Sequence, residues 1–220
     1  MSKPTAQSAL RYPLSMILGS EANVRLLRVL ALHGGQLSAP ALVFRTGLAK
    51  ATVWSALSTL EAMKIVEVAG TGRARLYCLR GANPLAGTLE GLFWDEEARF
   101  SKISDTIKSA AAQAQPGVLA VWLYGSVARG VDRADSDLDI LVIAAPPERQ
   151  RIVDFIRDTL LKPGSKHGFN ASVVGIEPTD VRRLAGDHDP WWGSASADAI
   201  VLFGASPQEI TAGSVGEDAA

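Results

Sequence analysis

One stretch of the 220-residue chain constrains its fold more than any other. The apolar run Val118–Tyr124 has the length of a buried strand and stops at Gly125-Ser126. Ten residues later, Asp137-Leu138-Asp139 opens a second apolar run, Ile140–Ile143. Alternate residues of a strand share a face, so Asp137 and Asp139 project together while Leu138 and Ile140 turn to the core. Two carboxylates held on one strand edge repel each other unless a cation lies between them. They are a natural seat for Mg²⁺ bridging protein and phosphate oxygens. Gly125 lets the backbone approach a phosphate, and Ser126 offers a hydroxyl and the start of a helical turn.

Strand, Gly-Ser, ten residues and Asp-x-Asp on a second strand together resemble the signature of the DNA polymerase beta-like nucleotidyltransferase superfamily. The form Gly125-Ser126-Val127-Ala128-Arg129-Gly130 is similar to its small prokaryotic members. The resemblance implies that Gly125 and Ser126 bind a nucleoside triphosphate and that Asp137 and Asp139 are catalytic and hold Mg²⁺, a two-metal site being possible. Arg129 either adds charge near the phosphates or pairs on the surface with Asp132 or Asp135. The superfamily places a third carboxylate, a general base, on a later strand. Here the segment Glu148–Leu161 reads as the intervening helix, through Ile152, Phe155, Ile156 and Leu160. The following strand, Phe169–Ile176, turns Asn170 and Ser172 inward. Asn takes no proton as a base, so catalysis is in question; Glu177 and Asp154 are the acids that could lie near.

Ahead of this lies a different pattern. Ser20 caps a helical segment, Glu21–His33, which carries Val24, Leu27 and Ala31 on one face and ends at Gly34-Gly35. Ser38 and Pro40 open a second helix, closed by Gly47. A third, from about Ala49 to Met63, has Val53, Ala56, Leu57 and Leu60 as its buried stripe. Lys50, Thr52 and Ser55 fall on its other faces, as does Trp54, which fits a core or dimer contact as well as a DNA contact. Strands Ile65–Ala69 and Arg73–Leu79 flank the glycine turn Gly70-Thr71-Gly72, with Arg73 and Arg75 on one hairpin face. The run from Leu37-Ser38 through Thr46-Gly47-Leu48, Thr52-Val53, Leu57, Leu60 and Ile65-Val66 to Gly72-Arg73 and Leu76-Tyr77 resembles a bacterial winged helix-turn-helix repressor domain. By that resemblance the third helix reads the major groove, the hairpin is the wing, and Lys50, Thr52, Ser55, Arg73 and Arg75 contact double-stranded DNA. The alternative is a domain that only mediates dimerisation or protein contact.

The expected fold class is therefore α+β. A winged helix-turn-helix spans 13–83, a connecting helix 84–115, and a nucleotidyltransferase-fold mixed sheet with flanking helices 116–205, followed by a disordered tail, 206–220. The layout is similar to bacterial proteins that fuse these two domains, a group in which Asn commonly stands at the third acidic position. Leu89, Leu92, Phe93, Phe100, Ile103 and Ile107 make the connector an arm, a dimerisation helix or both; a homodimer is expected. A net charge of −1 requires any DNA-binding surface to be local. One cysteine excludes an internal disulfide, and His33, His167 and His188 give no zinc-ligand spacing. No apolar run spans a membrane and the N-terminus lacks a signal peptide, so a cytoplasmic protein is expected.

Three functions compete. The first is an enzyme moving a nucleoside monophosphate from a triphosphate to a hydroxyl on a protein, small molecule or RNA end. The second is a repressor whose C-terminal domain senses nucleotide without turnover. The third is an antitoxin-like module that represses its own operon and modifies a partner.

Overall fold

The computed structural model describes residues 14–72 and 75–213. They form two compact units that divide between Ala98 and Arg99.

The first unit holds α1 (Leu14–Ile17), α2 (Glu21–His33), β1 (Leu37–Ser38), α3 (Ala39–Thr46), α4 (Lys50–Ala62), β2 (Val66–Ala69) and β3 (Leu76–Leu79). Its helix ends are where side-chain chemistry puts them. Ser20 Oγ accepts from the Asn23 amide at 3.2 Å, and Ser38 Oγ from the Ala41 amide at 3.3 Å. Gly34 and Gly47 close α2 and α3 at φ +66°. The buried face of α2 is Asn23, Leu26, Leu27, Leu30 and Ala31; Val24 is only half-buried, so the apolar stripe sits slightly round from the expected one. α4 buries Val53, Ala56, Leu57 and Leu60 as expected. The hairpin is shorter than the sequence suggests, and β1 joins it in the order β1-β3-β2, pairing Leu37 with Tyr77. A two-residue strand has no periodicity to announce it.

The 30-residue helix α5 (Pro84–Gln113) begins where Asn83 Oδ1 accepts from the Leu85 amide at 2.9 Å. Leu89 and Phe93 join the first unit's core, while Ile103, Ile107, Ala110 and Ala111 join the second's. Leu92 and Phe100, expected on the apolar face, are half-exposed, as is Trp94.

The second unit is a mixed sheet of β4 (Val118–Tyr124), β5 (Leu138–Ala144), β6 (Ala171–Ile176) and β7 (Ile200–Gly204), in the order β6-β5-β4-β7. Only β5 and β6 pair in parallel, and their crossover is α7 (Arg149–His167). α7 packs Ile152, Val153, Ile156 and Leu160 on one sheet face together with the end of α5. Phe155 is half-exposed, and Val153 takes the place expected for it. The other face carries Trp122, Tyr124, Leu141, Ile143 and Ile176, covered by α8 (Pro178–Gly186), α9 (Pro190–Asp198) and α10 (Pro207–Thr211). Between β4 and β5 lies the one-turn helix α6 (Gly125–Arg129). The start of the expected tail is a capped helix instead: Ser206 and Glu209 form a capping box, and Ile210 is buried under the sheet. Residues 214–220 lie outside the described residues, as does Arg73. No described helix is long and apolar enough to cross a membrane.

Candidate functional site

Asp139 stands directly opposite Tyr124 on β4 and Ser172 on β6. It shares the parity of Leu141 and Ile143, so it lies on the sheet face that α8, α9 and α10 cover. Asp137 precedes β5 on the same parity and is exposed. Burial raises the Asp139 carboxyl above its ordinary range. Asp137 raises it further, while a hydrogen bond from Ser172 and the charge of Arg129 pull it back.

Gly125 explains how Asp139 can sit there. Its φ is +76°, and an added Cβ would stand 2.5 Å from Asp139 Oδ2. Glycine is thus required twice, by the left-handed backbone and by the carboxylate filling the space a side chain would take. Ser126 follows, half-buried, in a turn that no side chain caps at Tyr124. Val131 N donates to Ser126 O and Gly130 closes the turn at φ +68°. Gly125, Ser126, Asp137 and Asp139 therefore come together as the sequence pattern implies.

Arg129 is brought to the same place but takes neither of its expected partners. It pairs with Asp198 at the end of α9. An acid in a helix's last turn is disfavoured by the helix dipole, and the guanidinium offsets this. Tyr124 and Trp191 meet edge to face, with ring centroids 6.0 Å apart. Burial raises the Tyr124 phenol, Asp139 adds to the rise, and the neighbouring Trp191 indole opposes it. No local pattern could have signalled Asp198 or Trp191, which lie some seventy residues beyond the loop they touch.

The third acid is absent at the expected place. Ser172 occupies the position beside Asp139, and the exposed Asn170 precedes it, its carbonyl accepting from Leu138 N at 2.7 Å. Glu177 does not substitute, because it pairs with Arg149 at 3.2 Å beyond the far end of β6. Asp154 pairs with Arg157 at 2.9 Å on α7. Among the described residues no cluster of three His, Cys, Asp or Glu forms a metal site. Two carboxylates beside the Gly125-Ser126 turn would nevertheless suit Mg²⁺, which is usually held by one or two carboxylates plus substrate phosphates. A cation there would offset both the burial that mainly raises Asp139 and the smaller repulsion from Asp137. A groove of about 560 Å³ between α7 and the start of β6 reaches Ser136 and Asn170, but neither Asp137 nor Asp139 lines it.

A family model described as a nucleotidyltransferase domain matches residues 104–169, and one described as an IclR helix-turn-helix domain matches residues 24–70. The chain joins an IclR-type helix-turn-helix domain to a nucleotidyltransferase domain. A protein of Methanocaldococcus jannaschii, provisionally named a protein adenylyltransferase, is 29% identical over 89 residues. That match covers 40% of this chain and 60% of the relative's length. Two solved toxin–antitoxin structures, one with AMP-PNP and one a mutant of the MntA–HpeT pair, match at 16% and 13% identity. Their TM-scores are 0.33 and 0.32, and each match covers 51% of this chain and 83% of the other.

On the helix-turn-helix domain, Lys50, Thr52 and Ser55 are all exposed along α4. Thr52 and Ser55 border a groove with the start of α2, while Lys50 and Trp54 border another with α3 and the wing. Trp54 is 41% exposed and meets Tyr77 edge to face at 6.3 Å. Arg75 is not a free wing cation. It precedes β3, pairs with Glu61 of α4 at 3.1 Å and lies over the Tyr77 ring.

Proposed function

We propose that the protein is a DNA-binding regulator whose C-terminal domain binds a Mg²⁺–nucleoside triphosphate at Gly125, Ser126, Asp137 and Asp139 and transfers the nucleoside monophosphate to a hydroxyl acceptor. The observation that carries this reading is Asp139 seated in the space left by Gly125, which fixes a carboxylate against the phosphate loop. A divalent cation bound by Asp137 and Asp139 would neutralise phosphate charge and polarise the α-phosphorus. Ser126 holds the phosphates, and Arg129, whose charge already acts on Asp139, would exchange Asp198 for them. The acceptor oxygen forms its bond to the α-phosphorus as the α–β anhydride bond breaks, and pyrophosphate leaves with that bond's electrons. The hydroxyl proton passes to water, since neither Ser172 nor Asn170 accepts it. The archaeal relative's name makes adenylyl transfer to a protein hydroxyl the first acceptor chemistry to test.

A second reading, a nucleotide sensor without turnover, is favoured by one observation: Ser172, not an acid, stands opposite Asp139. Incubation with Mg²⁺ and each labelled triphosphate separates the two. The enzyme releases pyrophosphate in the presence of its acceptor, whereas the sensor binds and releases none. Absence of binding to every triphosphate rejects both.

DNA binding rests on three exposed positions of α4, Lys50 on one side and Thr52 and Ser55 on another, and a second copy covering Leu92, Trp94 or Phe100 would supply two half-sites. Each phosphate contact contributes about 0.9 to the log–log salt slope of binding. Lys50→Ala should lower that slope by about 1. Arg75→Ala should lower it less, because Glu61 already neutralises this guanidinium. A gel-shift series at rising salt measures both, and an unchanged slope for Lys50→Ala removes Lys50 from the interface.

A further inference from the structure

α9 is held against the phosphate loop from two directions, by Arg129 on Asp198 and by Tyr124 on Trp191. The helix also has anchors of its own. Asp189 caps it by accepting from the Trp192 amide at 3.0 Å. Trp192 is buried against Trp122, with ring centroids 5.8 Å apart, and Trp122 Nε1 donates to the Ala205 carbonyl. Its neighbour Trp191 is used differently. Its ring packs edge to face with Tyr124, yet the residue stays 37% exposed. Tyr124 is the residue immediately before Gly125 and stands opposite Asp139. An indole packed on Tyr124, with surface open to solvent, thus lies one side chain away from the candidate triphosphate site.

We infer that Trp191 is the stacking platform for the nucleobase, and that α9 forms the base-side wall of the nucleotide site. This rests on the triphosphate reading above and extends it to the base. Stacking exploits the π-face every base has, so it contributes affinity with little hydrogen-bond selectivity. A purine covers more of the indole than a pyrimidine, so ATP and GTP should bind more tightly than UTP and CTP. Arg129 connects the two parts of the site. It is anchored on the last residue of α9 and its charge is felt at Asp139, so the wall and the carboxylates are positioned together.

The test is calorimetric titration of the full chain with Mg²⁺-ATP and, separately, with Mg²⁺-tripolyphosphate, which has the phosphates but no base. Trp191→Ala should weaken Mg²⁺-ATP by about tenfold to a hundredfold, the range of one base–aromatic stack, and leave Mg²⁺-tripolyphosphate unchanged. Trp191→Phe should retain most of the ATP affinity, and wild-type tryptophan emission should respond to ATP but not to tripolyphosphate. Equal ATP affinity of Trp191→Ala and wild type overturns the inference. So does an equal loss for both ligands, which would make Trp191 a packing residue only. If wild type binds neither ligand, the triphosphate reading itself is what fails.

Discussion

Gly125→Ala should cost the protein both stability and its nucleotide response. At φ +76° any L-residue other than glycine is strained, by about 1–3 kcal/mol. The new methyl would also stand 2.5 Å from Asp139 Oδ2, so the carboxylate must turn away. Gly130→Ala separates the two effects. It has a similar positive φ, +68°, but its added Cβ meets nothing within 4 Å. The strain cost should therefore be similar in both variants, while only Gly125→Ala loses the stabilisation given by Mg²⁺ with a triphosphate. That stabilisation is about 2.7 kcal/mol at a hundredfold excess over Kd. Chemical denaturation with and without ligand measures both quantities. If Gly130→Ala loses the ligand response and Gly125→Ala keeps it, Asp139 is not the group that the glycine accommodates.

The pair of glycines also shows what the sequence could reveal. Wherever the determinant is local, the residues announce it: Ser20 and Ser38 cap, Gly34 and Gly47 terminate, and Gly125-Ser126 with Asp137 and Asp139 mark strand ends ten residues apart. The fold class and the carboxylate pair are legible for that reason. Where the determinant is a tertiary contact, the pattern is silent or points elsewhere. Arg129 has acids near it in sequence, but the short turn of α6 aims it at α9 and Asp198. Arg75 alternates like a wing cation, yet Glu61 draws it back to α4. Val24, Phe155 and Leu92 are apolar at helical spacing, and only the packed neighbours decide that they stay partly uncovered. Pro207–Thr211 is too short for a period, so its docking through Ile210 could not be read from composition.

Asp139→Asn should act in opposite directions on the empty and the loaded protein. The folded-state carboxyl is raised above its ordinary value near 3.8, first by burial and then by Asp137. For an acid shifted upward the folded state holds its proton more tightly than the unfolded state does. The associated stability is therefore complete at low pH and is lost as pH rises through the shifted value. At neutral pH wild type carries the cost of an ionised, half-buried Asp139 facing Asp137. Asn removes that charge and can still hydrogen-bond with Ser172, so the ligand-free variant should melt at or above the wild-type temperature. With Mg²⁺ and a triphosphate the order reverses. The variant lacks a charged ligand for the cation, and most of the ligand-dependent gain of about 2.7 kcal/mol at a hundredfold excess over Kd should disappear. Ser172→Ala gives a third point, because it takes away a hydrogen bond that opposes the upward shift. Its ligand binding should become more sensitive to acid than that of wild type, with the loss starting at higher pH as Asp139 protonates more readily. Melting curves across pH 4 to 8, with and without Mg²⁺-ATP, resolve all three. A ligand response in Asp139→Asn as large as in wild type would show that the cation is held elsewhere.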